Sequence, residues 1–146
     1  MLPVTYPEPS FRIRSEKGKE QIFDTLRKRW IPLTPEEWVR QNFIQYLIQE
    51  KKYPATLIAI EKEIRLGELR KRFDILIYDR HHQPWMMIEC KGREIELNKS
   101  VLEQILRYHI SVPATYLVIT NGVQSIGWVK EGNSFNLIED LPLFAQ

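Results

Sequence analysis

The protein has 146 residues, of which 43% are hydrophobic and 27% are charged, and its formal net charge is +2. This length fits one ordinary domain, and the composition excludes a disordered chain. No apolar run in the sequence approaches the roughly 18–20 residues that cross a bilayer. The N-terminus lacks the basic and apolar segments of a signal peptide, and the single cysteine, Cys90, excludes an internal disulfide, so we expect a cytoplasmic protein.

The first clear local signal along the chain is the start of a helix. Thr34 is followed by a proline and, three residues on, by Glu37, which is the order of a capping box with Thr34 at the N-cap. Apolar residues then recur at four-residue spacing, so we predict a helix from about Pro35 to Lys51. Before it, residues 1–18 are expected to form an irregular arm, and alternating apolar residues over 21–30 favour one or two short strands.

Beyond the first helix, the pattern becomes strand-like, with a second helix predicted over about Asn98–His109. An α/β domain with a mixed sheet flanked by helices, in αβββαβ order, fits this pattern, and residues 19–146 would form it. The four tryptophans are expected in its core. The predicted strands are Leu57–Ile64, Arg72–Asp79, Pro84–Lys91, Ala114–Thr120, Ser125–Lys130 and Phe135–Ile138.

Two of these strands are predicted to form a hairpin with the polar loop Arg80–Gln83. If Asp79 faces Pro84, residues whose numbers sum to 163 lie opposite one another, so Asp74 faces Glu89 and Lys91 shares their side. The other positions of both faces are apolar, as in strands covered on both sides. The same rule pairs Tyr78 with Trp85 and Leu76 with Met87, and places Phe73, Ile75, Ile77, Met86, Ile88 and Cys90 on the opposite side.

The predicted pairing of Asp74 with Glu89 needs a physical reason, because two neighbouring carboxylates repel each other as water is excluded. A divalent cation supplies one, since Mg²⁺ prefers oxygen ligands and commonly takes one or two carboxylates. The alternative is a salt bridge in which Lys91 neutralises Asp74 or Glu89 near the edge of the sheet. Geometry alone leaves both interpretations open.

These residues resemble the motif of the PD-(D/E)XK nucleases. Glu89-Cys90-Lys91 is similar to the (D/E)XK half, Asp74 stands fifteen positions before Glu89, and Phe73 replaces the proline of the family name. The resemblance is to the N-terminal nuclease domain of type I restriction enzyme R subunits and covers about residues 20–138. The further segments that carry it, in order, are Pro35–Gln41, Lys71–Ile75, Gln104 with Tyr108, and Thr120–Gly122.

The resemblance implies a role for each motif residue. Asp74, Glu89 and the main-chain carbonyl of Cys90 would bind Mg²⁺ or Mn²⁺. Lys91 would orient or activate the attacking water and stabilise the charge that develops on phosphate. Glu37 would be the glutamate of the first helix that reaches the metal, directly or through water; a capping-box role alone is the alternative.

Further candidate residues follow the motif. Gln104 resembles the glutamine that lies close to the site in such nucleases, the alternative being an ordinary polar residue at a helix boundary, and Tyr108 is expected to serve packing. The thiol of Cys90 is rejected as a nucleophile because it would point away from Lys91. Basic residues are candidates for binding phosphates, the alternative being a solvated face. They are Arg70, Lys71, Arg72 and Arg93.

The favoured function is a metal-dependent endonuclease acting on DNA, with other restriction-system subunits or a second copy as further partners and no membrane. The alternative is a non-catalytic nucleic-acid-binding or interaction module that retains the nuclease fold. It stays open because 146 residues leave no room for the ATPase motor and specificity domain that type I enzymes need. The sequence does not distinguish DNA from RNA as the substrate.

Overall fold

The computed structural model describes residues 1–144. Over these residues the chain forms two helices and nine strands, and neither helix is long and apolar enough to cross a membrane. The elements are β1 (Ile13–Glu16), β2 (Lys19–Asp24), β3 (Arg29–Pro32), α1 (Pro35–Gln49), β4 (Ile58–Leu66), β5 (Leu69–Tyr78), β6 (Pro84–Cys90), α2 (Lys99–His109), β7 (Tyr116–Thr120), β8 (Ser125–Glu131) and β9 (Ser134–Ile138).

The strands form two sheets. β1, β2 and β3 make a three-stranded antiparallel sheet, and β4 to β9 make a six-stranded sheet in sequential order. Within the larger sheet only β6 and β7 are parallel, and α2 connects them, as a parallel pair requires a crossover. The order from α1 to β7 is the predicted αβββαβ, so the expected fold class is confirmed.

The two helices cover opposite faces of the larger sheet. Thr34 Oγ1 accepts a hydrogen bond from the Glu37 backbone N–H at 3.0 Å and begins α1 at the predicted residue; the helix ends at Gln49, just before the expected end. Each large apolar side chain buried on this scaffold contributes about 1.5–3 kcal/mol. On one face, Val39, Phe43 and Leu47 of α1 pack with Ile75, Ile77, Met86 and Ile88; on the other, Leu102, Ile105 and Leu106 of α2 pack with Leu76, Met87 and Leu117.

The β5–β6 hairpin follows the predicted register through its centre, with a correction near the loop. Tyr78 pairs with Pro84 and not with Trp85, because a bulge lies between Ile77 and Tyr78. The Asp79 carboxylate accepts hydrogen bonds from the backbone N–H groups of His81 and Gln83, which tightens the loop by one residue. The confirmed pairs are Ile75 with Ile88, Leu76 with Met87 and Ile77 with Met86.

A second correction concerns the side of the sheet on which Phe73 lies. Phe73 packs in the α2 cluster, 5.0 Å from the His109 ring by centroids, and not beside Ile75 on the α1 side. Glu61 and Asp74 are not paired in the β4–β5 ladder, although the residues on either side of them are. Glu61 has a left-handed backbone with φ of 52°. This irregularity changes the side to which β5 turns its side chains at Asp74.

The N-terminal arm is shorter than predicted. Residues 13–16, expected to be irregular, form β1, because Lys17 and Gly18 both have positive φ and make the tight turn that pairs β1 with β2. The preceding segment is fixed against the larger sheet: Leu2 is buried and its N–H donates to the Ser125 carbonyl at 2.7 Å.

Candidate active site

Asp74 lies at the point where β5 separates from β6. The last regular pair of the ladder is Ile75 with Ile88. Beyond this pair, the Cys90 N–H donates to Asp74 Oδ2 at 2.7 Å. The Asp74 side chain therefore accepts the hydrogen bond that a main-chain carbonyl of β5 would accept if the ladder continued. Because the N–H and C=O of a residue in an extended strand point to the same side, the Cys90 carbonyl is directed toward the same gap.

Asp74 and Glu89 are mostly buried, with 18% and 15% of their side chains exposed. Burial, and then the charge of Glu89, raise the pKa of Asp74 to about 7. Burial also raises the pKa of Glu89. Glu89 Oε1 is buried and accepts no hydrogen bond from the described residues. Ionisation of both acids at once is therefore unfavourable, and a bound cation would relieve this repulsion.

Arg40 is the positive group closest to Asp74, and the sequence analysis did not single it out. Its Nη2 lies 3.3 Å from Asp74 Oδ1, while Nη1 contacts Glu37 at 3.0 Å and Glu61 at 3.1 Å. Even with this guanidinium beside it, the pKa of Asp74 stays raised. The sequence did contain a signal for this residue. Arg40 stands three positions after Glu37, on the helix that also carries the buried apolar stripe.

Glu37 does not lie beside the carboxylate pair as a free ligand. Its carboxylate accepts two hydrogen bonds from Arg27 at 3.0 Å, one from Arg40 at 3.0 Å and one from Gln41 at 2.9 Å. Arg40 connects it to Asp74, and its backbone N–H forms the expected cap with Thr34. A direct or water-mediated role of Glu37 at a metal stays a prediction.

Lys91 lies between two clefts and makes no ion pair with any residue of the described chain, 1–144. One cleft, of about 630 Å³, is shared with Glu36, Glu37 and Arg40; the other, of about 500 Å³, is shared with Glu89. The alternative in which Lys91 neutralises Asp74 or Glu89 directly is therefore not observed. Its ammonium group can receive a negatively charged ligand that enters either cleft.

Glu36 is a second residue of the site that the sequence analysis missed. Burial, and then the charge of Asp74, raise its pKa, although Arg40 and Lys91 act in the opposite direction. It lies at the N-terminus of α1 next to Glu37, and only the packing of α1 on the sheet brings it toward Lys91.

Gln104 and Tyr108 lie along the cleft that contains Glu89 and Lys91. Gln104 shares this cleft with both motif residues. Tyr108 is 45% exposed, and its ring packs against the His109 ring at 4.7 Å and the Lys71 Nζ at 3.7 Å, so it packs at the edge of the cleft and not in the core. The reason is the apolar stripe of α2, which runs through Leu102, Ile105, Leu106 and the buried His109 and leaves position 108 outside.

His109 ends α2, where a charged imidazole would favour the helix dipole. Its side chain is buried beside Phe73, and burial together with the charge of Lys71 lowers its pKa to about 4, so it is neutral. Its Nε2 lies 3.3 Å from Glu89 Oε1. The imidazole is thus a neighbour of the carboxylate pair and carries no charge to the helix end.

The predicted phosphate-binding residues are divided between two places. Arg70, Lys71 and Arg72 follow one another on β5, and Arg72 lines the cleft with Glu89. Arg93 lines a groove with Trp38 and Gly122, on the α1 side. The structure does not gather these four residues into one surface.

The donor set around Asp74 and Glu89 suits a hard cation. No group of three or more His, Cys, Asp or Glu side chains stands in a metal-binding arrangement in the part of the chain that the structure describes. An ion here would have two carboxylates, and main-chain, water or phosphate oxygens would complete its shell. Mg²⁺ commonly accepts such a set, whereas a structural Zn²⁺ site does not use it.

The mixed sheet, with α1 and α2 on its two faces, defines a restriction-endonuclease-like fold. Residues 35–142 match the family described as type I restriction enzyme R protein N terminus, and the chain belongs to this family. The match includes Asp74, Glu89 and Lys91 and begins after β3, so it confirms the predicted family and leaves the three-stranded sheet outside. No curated protein matches the chain.

Proposed function

We propose that this protein is a metal-dependent nuclease domain of restriction type, which hydrolyses phosphodiester bonds of DNA. The observation that carries the proposal is the pair Asp74 and Glu89: two mostly buried acids with raised pKa values meet where β5 and β6 separate. Membership of the type I restriction enzyme R protein N-terminal family supports the restriction-type assignment. DNA and other restriction-system subunits, or a second copy of the chain, are the partners that we infer.

Asp74, Glu89 and the Cys90 carbonyl would hold Mg²⁺ or Mn²⁺. A divalent ion supplies polarisation of the phosphate and a lowered pKa of bound water. Arg40 stays near Asp74 because Glu37 and Glu61 hold its other nitrogen, so its guanidinium can neutralise part of the charge of the site.

Lys91 would contribute to the reaction directly. Because its ammonium makes no ion pair within residues 1–144, it is free to donate to the attacking water and to the phosphate oxygens as negative charge develops. Gln104, which lines the same cleft, would hydrogen-bond the water or the phosphate and so position it.

The test is cleavage of plasmid DNA with Mg²⁺ or Mn²⁺ by the wild type and by Lys91→Ala. We expect the variant to lose on the order of 10²–10³-fold in rate, the size of losing one group that stabilises transition-state charge. Lys99→Ala is the matched control, since Lys99 has 89% of its side chain exposed and lies outside both clefts. Equal cleavage by wild type and Lys91→Ala would remove the assignment.

A non-catalytic DNA-binding or interaction module is the second candidate function. The contact between Arg40 and Asp74 favours it, because an arginine can partly neutralise this carboxylate without a metal. Binding of DNA that weakens with salt, together with no cleavage under any divalent ion, would support this candidate over the nuclease.

A further inference from the structure

The three-stranded sheet concentrates positive charge. Residues 12–32 contain seven lysines and arginines and three acidic residues, whereas the rest of the chain contains fourteen basic and sixteen acidic residues. The segment is therefore +4 in a protein whose remainder is −2. It also lies outside residues 35–142, the part that matches the family. A charge excess of this kind, confined to an added element, points to an anionic partner.

One face of this sheet carries the buried residues of β2, and the other combines arginines with aromatic rings. Ile22 and Asp24 are buried on the inner face. The alternation of β2 and its pairing with β1 and β3 place a different set on the outer face. That set is Arg12, Arg14, Gln21, Phe23 and Trp30.

The two arginines stack on the two aromatic rings. Arg14 Cζ lies 4.3 Å from the Trp30 ring, and Arg12 Cζ lies 4.9 Å from Phe23 and 5.4 Å from Trp30. Phe23 and Trp30 are themselves in edge contact at 5.4 Å. Trp30, expected in the core, is thus only half-buried. A guanidinium held flat on a ring loses less conformational entropy when its edge binds a phosphate, and that edge suits two phosphate oxygens at once.

The remaining contacts of these arginines leave donors for a ligand. Arg14 donates to Gln21 at 2.8 Å and pairs with Glu16 at 3.0 Å, while Arg12 makes no side-chain hydrogen bond or ion pair with residues 1–144. Because the guanidinium groups lie over the Phe23 and Trp30 rings, they compete with nucleobases for stacking there. The chemistry therefore favours contacts to the phosphate backbone over contacts to bases.

The charged face meets the candidate active site at the end of β3. Pro32, which pairs with Gln21 of the outer face, lines the cleft of about 630 Å³ that contains Glu36 and Lys91. A polyanion lying on the outer face of the sheet would therefore pass the mouth of this cleft.

We propose that the face formed by Arg12, Arg14, Phe23 and Trp30 binds the phosphate backbone of duplex DNA without base preference. It directs the duplex toward the cleft at Lys91. This inference rests on the proposed function only for its choice of DNA as the polyanion.

The experiment measures binding of a fluorescently labelled DNA duplex by anisotropy, in EDTA, over a series of salt concentrations. Arg12→Gln/Arg14→Gln should weaken binding about tenfold or more at low salt. The slope of log K against log salt should become less negative by about 2, the contribution of two phosphate contacts. The charge-matched control is Lys62→Gln/Arg65→Gln, two exposed residues of β4, which should leave affinity and slope near those of the wild type.

One further variant separates stacking from charge, and an unfolding measurement separates both from a folding defect. Arg12→Lys/Arg14→Lys keeps both charges and loses the planar groups, so we expect affinity between that of wild type and the glutamine variant. Thermal unfolding of each variant shows whether the sheet is intact. A glutamine variant that folds and binds like the wild type would overturn the inference, as would a wild type that does not bind DNA, or that binds anionic vesicles in preference to DNA.

The failure of this inference can be told from the failure of the proposed function. Because binding is measured in EDTA, it is independent of metal chemistry. Lys99→Ala, which changes an exposed lysine outside both clefts, should bind like the wild type in the same assay. Binding lost through Arg12 and Arg14 in a protein that never cleaves DNA would support this surface and reject the nuclease. Cleavage of DNA, together with binding that does not depend on Arg12 or Arg14, would support the nuclease and reject this surface.

Discussion

Two buried acidic pairs lie close to α1, and they differ in how their charges are satisfied. Asp24 and Glu37 receive hydrogen bonds from Arg27 and Gln41, and Glu37 receives a further one from Arg40. Although burial acts to raise it, these hydrogen bonds and the charge of Arg27 hold the pKa of Asp24 below its usual value.

The second pair, Asp74 and Glu89, has the opposite character. Burial raises both pKa values, and one oxygen of Glu89 accepts no hydrogen bond from the described residues. Buried carboxylates whose oxygens all have hydrogen-bond or charge partners stabilise a fold. Buried carboxylates that lie together without such partners repel each other, and a bound cation can relieve this repulsion. This difference separates the structural pair from the candidate catalytic pair, although both are buried.

The largest expected difference is in stability. Glu37→Gln should lower the free energy of unfolding by about 3–5 kcal/mol, because it leaves Arg27 and Arg40 buried without their main partner. Glu89→Gln, the same change in the second pair, should cost less than about 1 kcal/mol or stabilise the protein, since it removes repulsion. Urea unfolding at neutral pH measures both, and equal losses would contradict the distinction between the pairs.

The next effect is opposite dependence on pH in metal-free buffer. The folded-state pKa of Asp74, about 7, lies above the ordinary value of 3.8, so stability falls as pH rises between these two values and is constant above them. We expect a fall of about 1–3 kcal/mol that Asp74→Asn removes. Asp24 has a lowered pKa, so its contribution is present at neutral pH and is lost in acid, below the ordinary value.

Unfolding free energies across the pH range, measured in EDTA, test these opposite signs. Asp74→Asn should flatten the curve between about pH 4 and pH 7. Asp24→Asn should lower stability at neutral pH and flatten the acid limb. A curve of Asp74→Asn that is parallel to the wild type between these limits would show that the second pair is not under electrostatic stress.

The smallest expected effect concerns His109, whose uncharged imidazole lies beside Glu89. Its Nε2 lies 3.3 Å from Glu89 Oε1, close enough to donate to this oxygen when a cation binds. His109→Phe should therefore weaken Mn²⁺ binding about tenfold, whereas His109→Gln, which offers an N–H at the same place, should retain most of the affinity. Electron paramagnetic resonance of free Mn²⁺ measures this without any cleavage. The same affinity in all three proteins would leave His109 a packing residue only.

Much of the fold could be predicted because it depends on neighbours in sequence. The cap at Thr34, the apolar spacing of α1 and the alternation of β5 and β6 each involve residues within a turn or a pleat of one another. The central hairpin register followed for the same reason, since a short loop leaves few ways to pair the strands. The bulge at Tyr78 did not follow, because it depends on hydrogen bonds that the Asp79 side chain makes inside the loop.

By itself, the sequence determined most of the elements and the family, and it predicted the set Asp74, Glu89 and Lys91. The tertiary structure alone decided which charges surround that set: Arg40 and Glu36 come from α1, His109 comes from α2, and Glu37 is withdrawn into contacts with Arg27. The physical reason is that charge interactions and burial act through space over several ångströms, between elements far apart in the chain. Local patterns carry no record of those distances.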